Sequence, residues 1–287
     1  MLKKLLSAIC IIIVFVLTGC EHNEPSIDPS NKVVGVFSVS ATKRVAFSPG
    51  NLHYKKSTNT WSFASEQYNF FGTSNVTSGS VYSDSEDGYY IYGSSLASSI
   101  DLFSWSINST NFGVGAYSSS SYYGSFVDWG SLRIGNEAPK KWRTLTYDEW
   151  FYLLASRPNA VLLCGVAQVD NVNGLVLLPD NWTRPAGVSF KPGFRKEKGV
   201  DEYQAHQKFT VEQWSKLEAT GAIFLPAAGY RDAVNIYDVA GSGYYWSSTD
   251  PSSNSNTAGY FCFSADGANM SARHRSYAHS VRLVRDL

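Results

Sequence analysis

Apolar and polar residues alternate in short runs along most of this chain, and helical spacing is confined to two places. Residues 33–40 and 45–48 alternate as strands do, and Ser48-Pro49-Gly50-Asn51 is a turn signal after them. Residues 52–56 and 61–64 predict a hairpin across Ser-Thr-Asn-Thr. A second hairpin is predicted from residues 161–170 and 175–178, turning at Asn173-Gly174. Residues 222–225 return to strand before Pro226. The last stretch, 241–287, holds two aromatic runs, 244–248 and 259–265, and a final alternating run, 281–284. These predict short antiparallel strands whose connecting loops carry the chemistry, with the upstream elements as supports.

The helices announce themselves by their caps. Thr146-Tyr147-Asp148-Glu149 is a capping box, and Trp150, Leu153 and Leu154 follow on one face until Pro158 stops the helix at residue 156. Thr210-Val211-Glu212-Gln213 opens a second short helix through Ala219, with Trp214 and Leu217 turned to the core. Capping and the helix dipole account for Asp148 and Glu149 without catalysis. Residues 184–208 carry Arg184, Lys191, Arg195, Lys196 and Lys198 and predict a solvated basic loop.

Composition narrows the class. The 287 residues carry 24 basic and 24 acidic side chains, which argues against a nucleic-acid partner. Charged residues are 17% and aromatics 15%, a mix that favours a β-rich extracytoplasmic protein. Residues 1–20 are an address: Lys3 and Lys4, an apolar run over 5–17, then Leu17-Thr18-Gly19-Cys20, which resembles the bacterial lipobox. That resemblance implies lipidation of Cys20 and a membrane partner through acyl chains alone. Residues 21–32 are polar, contain Pro25 and Pro29, and predict a flexible tether to a domain over 33–287. Cys164 and Cys262 either pair in a disulfide or stay as buried thiols.

Candidate chemistry is sparse. Residues 57–130 hold no Lys or Arg, several acids, and Trp105 and Trp129 among many Tyr and Phe. They read either as a sugar-binding face or as aromatics packed into the core. Asp84-Ser85-Glu86-Asp87-Gly88 raises calcium as a cofactor, though its spacing is not that of an EF-hand loop. No H-E-x-x-H, Walker A or G-x-S-x-G motif is present. His274 and His279 lie among arginines without a third metal ligand, so no metal site is predicted.

Four stretches in order carry a family resemblance: Trp142-Arg143-Thr144-Leu145-Thr146 with Asp148-Glu149-Trp150; Phe224-Leu225-Pro226-Ala227-Ala228-Gly229-Tyr230-Arg231; Tyr245-Trp246-Ser247-Ser248; and Ser280-Val281-Arg282-Leu283-Val284-Arg285. Over residues 140–287 they resemble the Fibrobacter major paralogous domain of Bacteroidetes surface proteins, itself similar to C-type-lectin-like and formylglycine-generating-enzyme folds. The resemblance implies an α+β, C-type-lectin-like fold: small twisted antiparallel sheets, two short helices, long loops and neighbouring termini. The enzyme's metal-binding cysteines have no counterpart near Met270 to Ser276, and the lectins' Glu-Pro-Asn and Gln-Pro-Asp tripeptides are absent. No cofactor is therefore carried over, and no enzyme is expected.

The expected function is a lipid-anchored outer-membrane or cell-surface protein that binds a glycan or protein. The candidate ligand-binding residues are Trp246, Asn254, Asn256, Asn269, Ser271, Arg273, His274, Arg275 and Tyr277, on loops of Tyr/Ser/Asn character. Alternatives are an adhesin component of a surface assembly, or a hydrolase or modifying enzyme on the same fold.

Overall fold

The computed structural model describes residues 33–72, 81–82, 99–109, 112, 124–195, 200–233, 235–250 and 256–287. Cys20, the tether, the Asp84–Gly88 turn and Asn254 lie outside the described residues. In chain order the strands are β1 Phe37–Ser38, β2 Arg44–Phe47, β3 Leu52–Lys55, β4 Thr60–Phe63, β5 Val81–Tyr82, β6 Ser99–Ile100, β7 Arg143–Thr144, β8 Cys164–Val169 and β9 Val172–Leu177. There follow β10 Lys208–Phe209, β11 Ile223–Pro226, β12 Tyr230–Asp232, β13 Asn235–Tyr237, β14 Ser242–Trp246, β15 Thr257–Ser264, β16 Gly267–His274 and β17 Leu283–Asp286. The α-helices are α1 Tyr147–Phe151, α2 Glu202–His206 and α3 Val211–Glu218. The fold is α+β: small, mostly antiparallel sheets with a few short helices. No helix among the described residues is long and apolar enough to cross a membrane.

The central layer is the sheet ordered β10-β8-β9-β11. Every residue of β8 is buried. Val166, Leu175, Leu177 and Leu225 enter one core cluster, while Ala167, Val169, Val176 and Phe224 enter another. A sheet covered on both faces has no polar side, which is why 161–178 reads as a near-continuous apolar run. Its turn differs from expectation. Asp170 and Asn171 both have positive φ, 46° and 63°, and form the two-residue reversal between β8 and β9. Asn173-Gly174 lies inside β9, where a Cβ on Gly174 would stand 2.4 Å from Phe224 Cζ. The glycine serves close packing of β9 on β11 and makes no turn.

The sheet β14-β15-β16 packs on this layer. Its inward face carries Tyr245, Phe261 and Phe263 into the same cluster as Val166 and Trp150. Its other face puts Trp246, Ala258 and Tyr260 into a third cluster with Trp61, Phe103, Trp105 and Trp129. The tryptophans at 105 and 129 are thus core residues. A third sheet, β1-β2-β17-β7, pairs the last strand with both an early and a middle one, so the two ends of the described domain meet. The remaining sheets are β4-β3-β6 and β12-β13-β5.

Both capping boxes form. Thr146 Oγ1 accepts from Glu149 N at 3.1 Å and Glu149 Oε2 accepts from Thr146 N at 3.0 Å. Thr210 and Gln213 repeat this at 3.2 and 3.0 Å. The first helix is α only to Phe151 and continues as a π turn over Tyr152–Ser156. Arg157, held extended before Pro158, ends it. The polar stretch before Lys208 contains α2, which residue type alone did not reveal. Arg195 there is ion-paired to Glu202. Cys164 and Cys262 are both free thiols.

Candidate functional site

The site is built on the face of the β14-β15-β16 sheet that carries Trp246 and Tyr260, at the margin of their core cluster. Tyr244 stands opposite Cys262, and Cys262 opposite Asn269; Tyr260 stands opposite Trp246 and Ser271. Side chains alternate along a strand, so Tyr244, Tyr260, Asn269, Ser271 and Arg273 share one face. Tyr230 and Tyr277 are brought there from outside the sheet. Arg231 N donates to Ala278 O at 2.9 Å and Ala278 N to Arg231 O at 2.8 Å, which sets Tyr230 beside Tyr277. Gly229 N donates to Ser242 O at 2.8 Å, which sets Tyr230 beside Tyr244. Gly229 has φ +71°, and a Cβ on it would lie 2.1 Å from Tyr237 O. Only glycine fits that approach.

The result is a guanidinium among four phenol rings. Arg273 Cζ lies 4.3 Å from the Tyr230 ring centroid, 5.0 Å from Tyr277, 5.3 Å from Tyr244 and 5.6 Å from Tyr260. Tyr237 extends the array by stacking on Tyr230 at 5.1 Å and 15°. Tyr244 Oη donates to Asp238 Oδ2 at 2.6 Å. Burial, with this carboxylate, pushes the Tyr244 phenol far up. Burial likewise raises Tyr230 to about 12, against the pull of Arg273. Both phenols are neutral at physiological pH and supply π faces with no negative charge. Among the described residues Arg273 has no ion pair, and its buried Nη1 has no hydrogen-bond partner.

Beneath this array the alternation turns Arg231 inward. It is fully buried, donates from Nη2 to Leu102 O at 2.5 Å, and burial lowers it to about 9 with Asp101 opposing. It therefore stays charged and belongs to the scaffold.

The remaining sequence candidates separate from the site. Trp246, expected at a ligand surface, is 1% exposed, stacks on His279 and donates from Nε1 to Phe103 O at 2.7 Å. A ring enclosed on all sides cannot meet a ligand, and that expectation is corrected. Arg275 is also buried: it lies 4.2 Å over Trp105, donates from Nε to Thr257 O at 2.8 Å and pairs with Asp250 at 3.4 Å. It braces neighbouring segments. Asn269, Ser271, Arg273 and His274 lie on the regular strand β16, not on loops as expected. Polar residues on an edge strand with a solvated side imitate a loop in the sequence. Asn256 contributes its carbonyl to Arg275 N at 2.9 Å. His274 Nδ1 lies 2.7 Å from Ser276 Oγ, and burial lowers its pKa.

His279 is walled off from His274. It is fully buried among Trp246, Tyr260 and Tyr244, with its pKa far below the usual range through burial and Arg273. Among the described residues no cluster of three metal-ligating side chains occurs. Burial raises the thiol pKa of Cys262, against the pull of Arg273, and of Cys164, so neither carries thiolate reactivity. The residues missed by sequence reading are Tyr230, Tyr244 and Tyr260 as partners of Arg273, with Tyr237 stacked on Tyr230. The signal they carried is a glycine immediately before each of Tyr230, Tyr244 and Tyr260.

Residues 197–284 match the family described as Domain of unknown function (DUF8237). The match takes in α2 through the start of β17 and so contains the Tyr–Arg array. No curated protein and no solved structure matches the chain.

Proposed function

We propose that this chain is a lipid-anchored protein of the bacterial cell surface whose C-type-lectin-like domain, of the Fibrobacter major paralogous type, binds a glycan or protein ligand. The observation that carries the reading is Arg273, a guanidinium held against four tyrosine rings with no ion pair among the described residues. Tyrosine faces stack on the C–H surfaces of sugar rings, and a fixed guanidinium donates to hydroxyl or carboxylate oxygens. Exposed Asn269 and half-buried Ser271 on the same face add adaptable donors and acceptors.

A glycan array and a pull-down from envelope extracts, each run with the full chain and with Arg273→Ala, test the reading. Binding abolished by the substitution supports it; silence in both formats together with turnover of a substrate overturns it. Lipid labelling that is lost in Cys20→Ser tests the anchor. The adhesin reading draws on β16, whose outer edge pairs with no other described strand. Concentration-dependent self-association of the chain would favour it.

A further inference from the structure

We infer that the ligand of the Tyr–Arg array is a sugar acid, held by its carboxylate on Arg273. This rests on the binding function proposed above and narrows it to acidic glycans.

The Arg273 side chain is half-buried. Of its guanidinium nitrogens Nη1 alone is sealed from water, and none has a hydrogen-bond acceptor among the described residues. Nε and Nη2 therefore reach solvent with their protons uncommitted. Those two N–H groups form the edge of the guanidinium that a planar carboxylate meets with two parallel hydrogen bonds. The sealed nitrogen is the one that such a pairing does not use.

The surroundings add donors and leave the guanidinium unpaired. Tyr230 and Tyr277, with ring centroids 4.3 and 5.0 Å from Arg273 Cζ, have hydroxyls without a partner among the described residues. Burial raises Tyr230 to about 12, so its O–H stays protonated and able to donate. The nearby acids act elsewhere. Asp238 accepts from Tyr244 Oη at 2.6 Å and makes no ion pair with Arg273. The field of Asp232 falls on His274. The neighbouring cation Arg275 is already paired with Asp250 at 3.4 Å.

A neutral sugar brings hydroxyls that donate as well as accept, whereas an ionised carboxylate only accepts. Against a guanidinium edge flanked by phenol hydroxyls, the carboxylate is the better complement, and charge strengthens both of its hydrogen bonds. The half-buried rings of Tyr244 and Tyr277 offer apolar faces for the C–H surface of a sugar ring, which favours a sugar acid over an acidic peptide side chain.

Calorimetric titration of the full chain with oligosaccharides of galacturonate, glucuronate and N-acetylneuraminate, each against its methyl ester, tests the assignment. The ester keeps the sugar and removes the charge. The Arg273 Nε–H NMR resonance, assigned through Arg273→Gln, gives a local readout. At least one acid should bind and move that resonance, its ester should bind about tenfold or more weakly, and Arg273→Gln should weaken the acid by about tenfold or more. Should Arg273→Gln fail to fold by near-ultraviolet circular dichroism, Arg273→Lys replaces it: the charge stays, the two-pronged edge goes, and affinity should again fall about tenfold. Silence toward all three acids, an ester that binds as well as its acid, an unmoved resonance, or unchanged affinity in a folded variant overturns the proposal. So does polyglutamate bound in preference to every sugar acid. A neutral glycan or an envelope protein bound through Arg273 would sink the acidic-sugar assignment and leave the broader ligand reading standing; silence toward those as well would remove both.

Discussion

Trp246 and His279 lie face to face, their ring centroids 4.0 Å apart and their planes 15° from parallel. His279 is fully buried, and neither of its ring nitrogens has a hydrogen-bond partner among the described residues. Its imidazole fills space as an aromatic disc between sheet residues, and protonation would put a charge in an apolar wall beside Arg273. Burial holds its folded-state pKa far below the usual 6.5. Above that value both folded and unfolded forms are neutral. Below it the unfolded chain takes a proton and the folded one does not, so stability falls as pH drops from 6.5 toward the folded pKa. The slope from this group is up to about 1.4 kcal/mol per pH unit. Urea denaturation at pH 7.5 and pH 5.0 should show a smaller acid loss in His279→Phe than in the wild type. Equal losses would remove His279 from the account.

Arg273→Lys should be poorly tolerated for binding. An ammonium keeps the charge and loses the planar stack on Tyr230. Its stability cost should be only about 0.5–2 kcal/mol, the range for a cation on aromatic faces. Any ligand identified on the arrays should lose about tenfold or more in affinity, measured by titration. A ligand indifferent to the change binds elsewhere.

Trp150 ties the first helix to the last sheet. Its ring stacks on Phe261 at 5.1 Å and 25°, and its Nε1 donates to Trp246 O at 3.3 Å. Trp150→Ala should cost about 3–5 kcal/mol by chemical denaturation. A loss under about 1 kcal/mol would mean the site collapses around the deletion, contrary to the packing described.

Gly174 and Asn171 separate the observed hairpin turn from the expected one. Gly174→Ala forces a methyl onto Phe224 and Leu225 O and should cost about 1–3 kcal/mol. Asn171→Gly, at a positive φ, should be neutral or slightly stabilising. If the turn lay at Asn173-Gly174, the sensitivities of the two positions would be exchanged.

Local features were legible from residue order. Both capping boxes, the stop before Pro158 and the hairpin of β3 and β4 appear where the pattern placed them, because each depends on contacts within a few residues. The helix α2 and the strand β16 were missed, and one turn was misplaced. The strand β16 reads Gly-Ala-Asn-Met-Ser-Ala-Arg-His, with too little apolar alternation to announce itself. It is a strand because all eight positions pair with β15. The turn between β8 and β9 was misplaced because Asn-Gly is a strong local signal that close packing against Phe224 and Leu225 overrides.

Taken alone, the order of residues determined the α+β class, the helix caps and the richness in tyrosine, serine and asparagine near the end of the chain. It also singled out Arg273 and Tyr277. Tertiary structure decided which residues share a surface. Trp246 and Arg275 went inward, and Tyr230 crossed from another sheet to stand against Arg273. The physical reason is range. A cap or a turn is closed by backbone groups a few residues apart, whereas the Tyr–Arg array depends on strand register and on a bridge between Arg231 and Ala278. No local pattern encodes a meeting across that separation.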